Sequence, residues 1–184
     1  ASFVVKHILE DSIEEVEEYF YKYNSIAYLW PRFKQLRENN GNYVVIYRSG
    51  SGHITTDRRL LMELQQAIIE RLRELGYKTF SPGIMDQMIE KLVGENSIIK
   101  WENLFAKYRW CFRTATCSEE VIEALKKKDL KVGETVAQVL ENENIALADS
   151  PTAVKEWLKE IIAKNNLAGI VFIWDEFTEY FNHN

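Results

Sequence analysis

The chain has 184 residues, of which 46% are hydrophobic and 28% charged, and its formal net charge is −5. Those values fit one soluble globular domain with enough apolar mass for a core, and they give no basis for a general nucleic-acid coat. No apolar run approaches the ~20 residues needed to cross a bilayer, and Lys6 and His7 interrupt the first apolar run too early for a signal peptide.

Val4, Val5, Ile8 and Leu9 recur at helical spacing, so the chain opens in a helix. Asp11 or Ser12 caps a second helix with Ile13, Val16, Tyr19, Phe20 and Tyr23 on one side. Glu14, Glu15, Glu17 and Glu18 form its solvated face. Pro31 marks a break or a new helix start, and that short helix ends near Asn39, Asn40 and Gly41. The run YVVIY (43–47) is rich in β-branched and aromatic residues and predicts a buried strand. After RSGSG, Thr55 or Thr56 caps a helix over 57–75, with an apolar stripe of Leu60, Leu61, Leu64, Ala67, Ile68, Leu72 and Leu75 and a stop at Gly76.

Residues 77–150 read as a helical insertion, with helices expected over 82–93, 100–114, 118–128 and 132–143. Ser150 and Pro151 then start a helix whose inner face is Val154, Trp157, Leu158, Ile161 and Ile162. Asn165 and Asn166 end it, and AGIVFIWDEF follows as an apolar strand closed by two acids. A strand, a helical stretch, a last helix and a second strand predict an α/β fold with a parallel sheet in a single domain, 1–184. The chain opens inside a helical pattern and stops just past a core strand, so it is expected to be cut from a longer polypeptide.

The acids Asp175 and Glu176 carry the chemistry. The carboxyl end of a buried parallel strand faces a ligand crevice. There an aspartate can hold Mg²⁺ bridging nucleotide phosphates, and a glutamate can polarise an attacking water. The assignment requires Ile170 to Trp174 to be an inner strand and both acids to face a crevice. The turn at Ser49–Thr55 has the layout of a phosphate loop but not its chemistry: it has no lysine and only two glycines, and His53 is no permanent cation. It reads as a flexible strand-to-helix turn with a threonine cap.

Three further features are weaker. In FAKYRWCFRTATC, Lys107, Arg109 and Arg113 interleave with Phe105, Tyr108, Trp110 and Phe112, a pattern that can stack single-stranded bases. Leu104, Phe105, Tyr108, Cys111, Phe112 and Ala115 also share one helical face, and a core-facing helix is the simpler reading. His7, His53 and His183 form no ligand set, and Cys111 and Cys117 fit reduced thiols of a cytoplasmic protein.

The order apolar helix, acidic helix, YVVIYRSGSG, long helix, helical insertion and GIVFIWDEFTEYF resembles the large AAA-like P-loop ATPases of bacterial phage defence, the BREX ATPase group. The resemblance is specific only in FIWDEFTEYF. It implies a parallel-sheet P-loop core with a large insertion, ATP and Mg²⁺ as ligands, Asp175 on the metal and Glu176 as general base. It also implies a phosphate loop just upstream of Ala1, since no GK[ST] occurs in the chain. Protein partners, a homo-oligomer and DNA are the partners it suggests. In a ring assembly Arg48, Arg58, Arg59 or Arg113 would be the candidate arginine finger. The alternative is a mainly helical interaction module without catalysis.

Overall fold

The structure is a computed structural model and describes residues 2–178 and Tyr180. Three helices come first: α1 (Ser2–Glu10), α2 (Ile13–Lys22) and α3 (Trp30–Asn40). Ser12 caps α2 through a full capping box with Glu15, which uses one of the acids expected to face solvent. Glu17 is a second departure, since its carboxylate accepts the Trp30 indole N–H at 2.8 Å. Val16, Phe20 and Trp30 form a small core of their own, with Phe20 stacked on Phe33 at 5.3 Å. Pro31 stands in the first turn of α3, and Gly41, at φ +83° and ψ −160°, turns the chain into the first strand.

The sheet has two strands, β1 (Asn42–Ser49) and β2 (Leu167–Asp175), paired in parallel. The register sets Val44 against Ile170, Ile46 against Phe172 and Ser49 against Asp175. The carboxyl ends of both strands therefore meet. The long helix α4 (Asp57–Glu74) and the last helix α9 (Pro151–Lys164) pack on the face that carries Val44, Ile46, Ile170 and Phe172. Parallel strands need such a crossover, because no tight turn can return the chain in the same direction.

The outer edge of β1 is closed. The backbone N–H of Val45 donates to the Glu10 carboxylate at 2.6 Å, and the same carboxylate accepts Arg71 Nη2 at 2.5 Å. Glu10 thus stands where a third strand's carbonyl would, which stops the edge from pairing. Among the described residues β2 pairs only with β1, so the condition that Ile170 to Trp174 form an inner strand is not met within them.

The crossover is helical throughout: α5 (Ile84–Val93), α6 (Trp101–Lys107), α7 (Ser118–Lys126) and α8 (Leu130–Asn142). These helices share one core with the sheet-distal part of α4 and with Val154 and Leu158 of α9. The architecture is α/β, with helices predominating over a two-stranded parallel sheet. Four boundaries differ from expectation. The helix foreseen over 100–114 ends at Tyr108 and continues as a 3-10 turn, Arg109–Cys111. α5 starts at Ile84 rather than at 82, and α7 stops two residues early, where Lys128 takes φ +63°. α8 starts at Leu130, because the Asp129 side chain accepts the N–H groups of Lys131 and Val132. The inner line of α4 is Met62, Gln65, Ala67, Ile68, Ile69 and Leu72, and Leu75 is exposed. Gln65 is tolerated inside because its side-chain oxygen accepts the Ile84 N–H at 2.8 Å. No helix among the described residues is long and apolar enough to cross a membrane.

Candidate functional site

Asp175 is the last residue of β2 and is exposed. Its carboxylate accepts the Tyr47 hydroxyl at 3.2 Å and the Glu176 N–H at 3.1 Å. Tyr47 lies opposite Ile173, so it reaches Asp175 as a diagonal neighbour on the same sheet face. Glu176 is exposed and takes φ +59°, a left-handed conformation that turns the chain sharply off the strand.

The turn after β1 and the segment after β2 are bound to each other. The Gly50 N–H donates to the Asp175 carbonyl at 3.0 Å, and the Trp174 indole N–H donates to the Gly50 carbonyl at 3.1 Å. Ser51 is fully buried. Its hydroxyl donates to the Glu176 carbonyl at 3.1 Å and accepts the Tyr180 N–H at 2.9 Å. The Tyr180 hydroxyl donates to Asp57 in the first turn of α4, and this contact holds the phenol pKa above its ordinary value. Phe172, Trp174, Phe177 and Tyr180 form a chain of ring contacts with centroids 5.1–5.5 Å apart.

This geometry shows why the RSGSG turn is no phosphate cradle. A cradle presents free backbone amides to the anion. Here the Gly50 amide is spent on Asp175 and the Ile54 amide on the Ser51 carbonyl at 2.8 Å. Ile54 is fully buried and anchors the turn inward, while Gly52 and His53 stay exposed. Thr56, not Thr55, caps α4 by accepting the Arg59 N–H.

The two acids lie beside the turn at the carboxyl end of the sheet, but they are not enclosed. Five surface cavities lie elsewhere, and neither acid lines any of them. No group of three or more His, Cys, Asp and Glu side chains among the described residues could hold a metal ion. One carboxylate that keeps free lone pairs, as Asp175 does, suits a Mg²⁺ ion that draws its other ligands from water and phosphate oxygens.

Three of the four candidate arginines are committed internally. Arg48 pairs with Glu63 and Glu70, Arg58 with Glu141 and Asp149, and Arg59 with Glu134. Arg113 is exposed and, among the described residues, has no carboxylate within ion-pair distance. His7 pairs with Asp11 and packs edge-on against Tyr19, His53 is exposed, and His183 lies outside the described residues. Cys111 and Cys117 are free thiols.

The aromatic–basic segment splits in two. Phe105 and Phe112 are buried around Trp101, whose indole N–H donates to the Ser118 carbonyl at 3.0 Å. Arg109 lies over the Phe105 ring, and Lys107 pairs with Glu143. Trp110 turns outward and is 76% exposed. The helical face read from the sequence already left Trp110 off the core side, and it stays outside although the helix stops at Lys107 and a 3-10 turn follows. Comparison with known proteins finds no matching protein family, no similar curated protein and no similar solved structure.

Proposed function

We propose that this chain is part of the ATP-hydrolysing core of a large bacterial P-loop-type ATPase working in phage defence or DNA processing, with Asp175 on Mg²⁺ and Glu176 on the attacking water. One observation carries the reading: β1 and β2 run in parallel, and their register brings Asp175 and Glu176 to the carboxyl end of the sheet, against the turn that leads into α4. Ligands of open parallel sheets bind outside that end. Two parts must come from residues beyond these 184. One is a G-x-x-x-x-G-K-[ST] loop to hold the phosphates. The other is a strand on the free edge of β2 to make Ile170 to Trp174 an inner strand and enclose the acids.

The test is ATP binding and turnover by the chain extended N-terminally through such a loop. Glu176→Gln is expected to keep ATP binding and lose turnover, and Asp175→Asn to weaken Mg²⁺-dependent binding. An extended chain that binds no ATP, or a Glu176→Gln variant that turns over like wild type, refutes the reading.

A second reading, a mainly helical interaction module without catalysis, is favoured by the exposure of both acids. The coding sequence just upstream of Ala1 separates the two. A phosphate-loop motif there supports the ATPase, and its absence supports the module.

A further inference from the structure

Trp110 stands at the rim of a groove formed by two adjoining cavities of about 510 and 450 Å³, which share Cys111, Arg113 and Thr135. Their size falls in the range of small-ligand sites. Among the described residues the Trp110 ring has no aromatic neighbour and its indole N–H no acceptor. A large exposed indole of this kind is a bare stacking surface.

The charges around it are not balanced evenly. Of the groove's carboxylates one is ion-paired, and the other two have oxygens taken by neutral donors. Glu134 pairs with Arg59 and accepts the Thr56 hydroxyl. Asp129 caps α8. Glu120 accepts the N–H and hydroxyl of Thr116, contacts that hold its pKa below the usual carboxylate value. Arg58 is held by Glu141 and Asp149. Arg113 and Lys131 are exposed and line the groove, and among the described residues neither forms an ion pair with a carboxylate. Trp110 thus offers a planar apolar ring, and Arg113 and Lys131 offer donors, beside Glu120 and Asp129, whose charges remain. The complementary ligand carries a planar group and a negative charge on one unit.

We propose that this groove binds a nucleotide unit, its base stacked on Trp110 and its phosphate on Arg113, with Lys131 taking the next negative charge. The unit is supplied either by single-stranded nucleic acid or by a free nucleotide. Single-stranded binders combine the same two parts, aromatic stacking and a cationic track for the backbone. An anionic peptide uses the cations but not the ring. The site is separate from Asp175 and Glu176 and does not depend on their role.

The test is fluorescence anisotropy with labelled single-stranded oligo-dT and oligo-rU, a duplex control and unlabelled AMP as competitor. Trp110→Ala is expected to weaken single-strand binding roughly 5- to 150-fold, the range of one lost base stack. Trp110→Phe retains most of the binding, and Arg113→Ala lowers the salt dependence by about one phosphate contact. Displacement by AMP identifies a free nucleotide as a sufficient ligand, and oligonucleotide binding that AMP does not displace identifies the nucleic-acid strand. Near-UV circular dichroism checks the fold of each variant. The proposal is overturned if wild type binds neither probe, if duplex binds as tightly as single strand, or if Trp110→Ala binds like wild type. Self-association through Trp110 without nucleotide binding overturns it as well.

Discussion

Replacing Ser51 by alanine separates the turn after β1 from the segment after β2. The Ser51 hydroxyl makes two bonds, accepting from the Tyr180 N–H and donating to the Glu176 carbonyl. They are not equivalent. The Tyr180 amide is buried but keeps a second acceptor, the Phe177 carbonyl at 3.1 Å, so losing the serine costs it one ordinary hydrogen bond, about 0.5–1.5 kcal/mol. The Glu176 carbonyl belongs to an exposed residue, so water can replace the serine and the loss there is near the low end, about 0.5 kcal/mol. The sum is about 1–2 kcal/mol. For a chain of this length that lowers the melting temperature by roughly 2–8 °C. Thermal unfolding followed by circular dichroism reads the total, and amide hydrogen exchange at Tyr180 reads the local part. A shift below about 2 °C with unchanged protection of the Tyr180 amide would show that Ser51 does not tie the two segments together.

Two further outcomes follow from the same contacts. Glu10→Ala removes the acceptor shared by the Val45 amide and Arg71, and since Arg71 keeps Glu74 it is expected to cost about 1–3 kcal/mol in urea unfolding; a loss under about 0.5 kcal/mol contradicts the edge-closing role. The Glu143 carboxyl is held below its ordinary pKa by Lys107 first and then by the Tyr108 hydroxyl. A depressed carboxylate contributes stability above its unfolded pKa and loses it as pH falls through the folded value. Melting temperature is therefore expected to fall below roughly pH 4.5, and to fall less steeply in Glu143→Gln; identical pH profiles would contradict this.

Much of the fold is legible in the sequence, because local signals and burial agree. Ser12 with Glu15, Thr56, and Ser150 with Pro151 start helices where their chemistry says. YVVIY and IVFIW pair as parallel strands, as their β-branched and aromatic content predicts. The departures arise where tertiary contacts outweigh local pattern. Gln65 lies inside because Ile84 needs an acceptor, and the continuous helix expected over 100–114 breaks so that Phe112 can reach Trp101. Asp175 and Glu176 are legible as strand-end acids. Their lock to Ser51 and Tyr180 is not, because those partners are more than 120 residues apart along the chain. The closed edge of β1 is equally hidden, since it rests on one glutamate from a distant helix.

The central claim is that Asp175 and Glu176 serve ATP hydrolysis once a phosphate loop is present. The direct measurement is single-turnover hydrolysis of ATP with Mg²⁺ by the N-terminally extended chain and its Glu176→Gln variant, with ATP binding measured alongside. The account predicts that both bind ATP and that only the unsubstituted chain hydrolyses it. Equal hydrolysis by both, or no ATP binding by either, would contradict it.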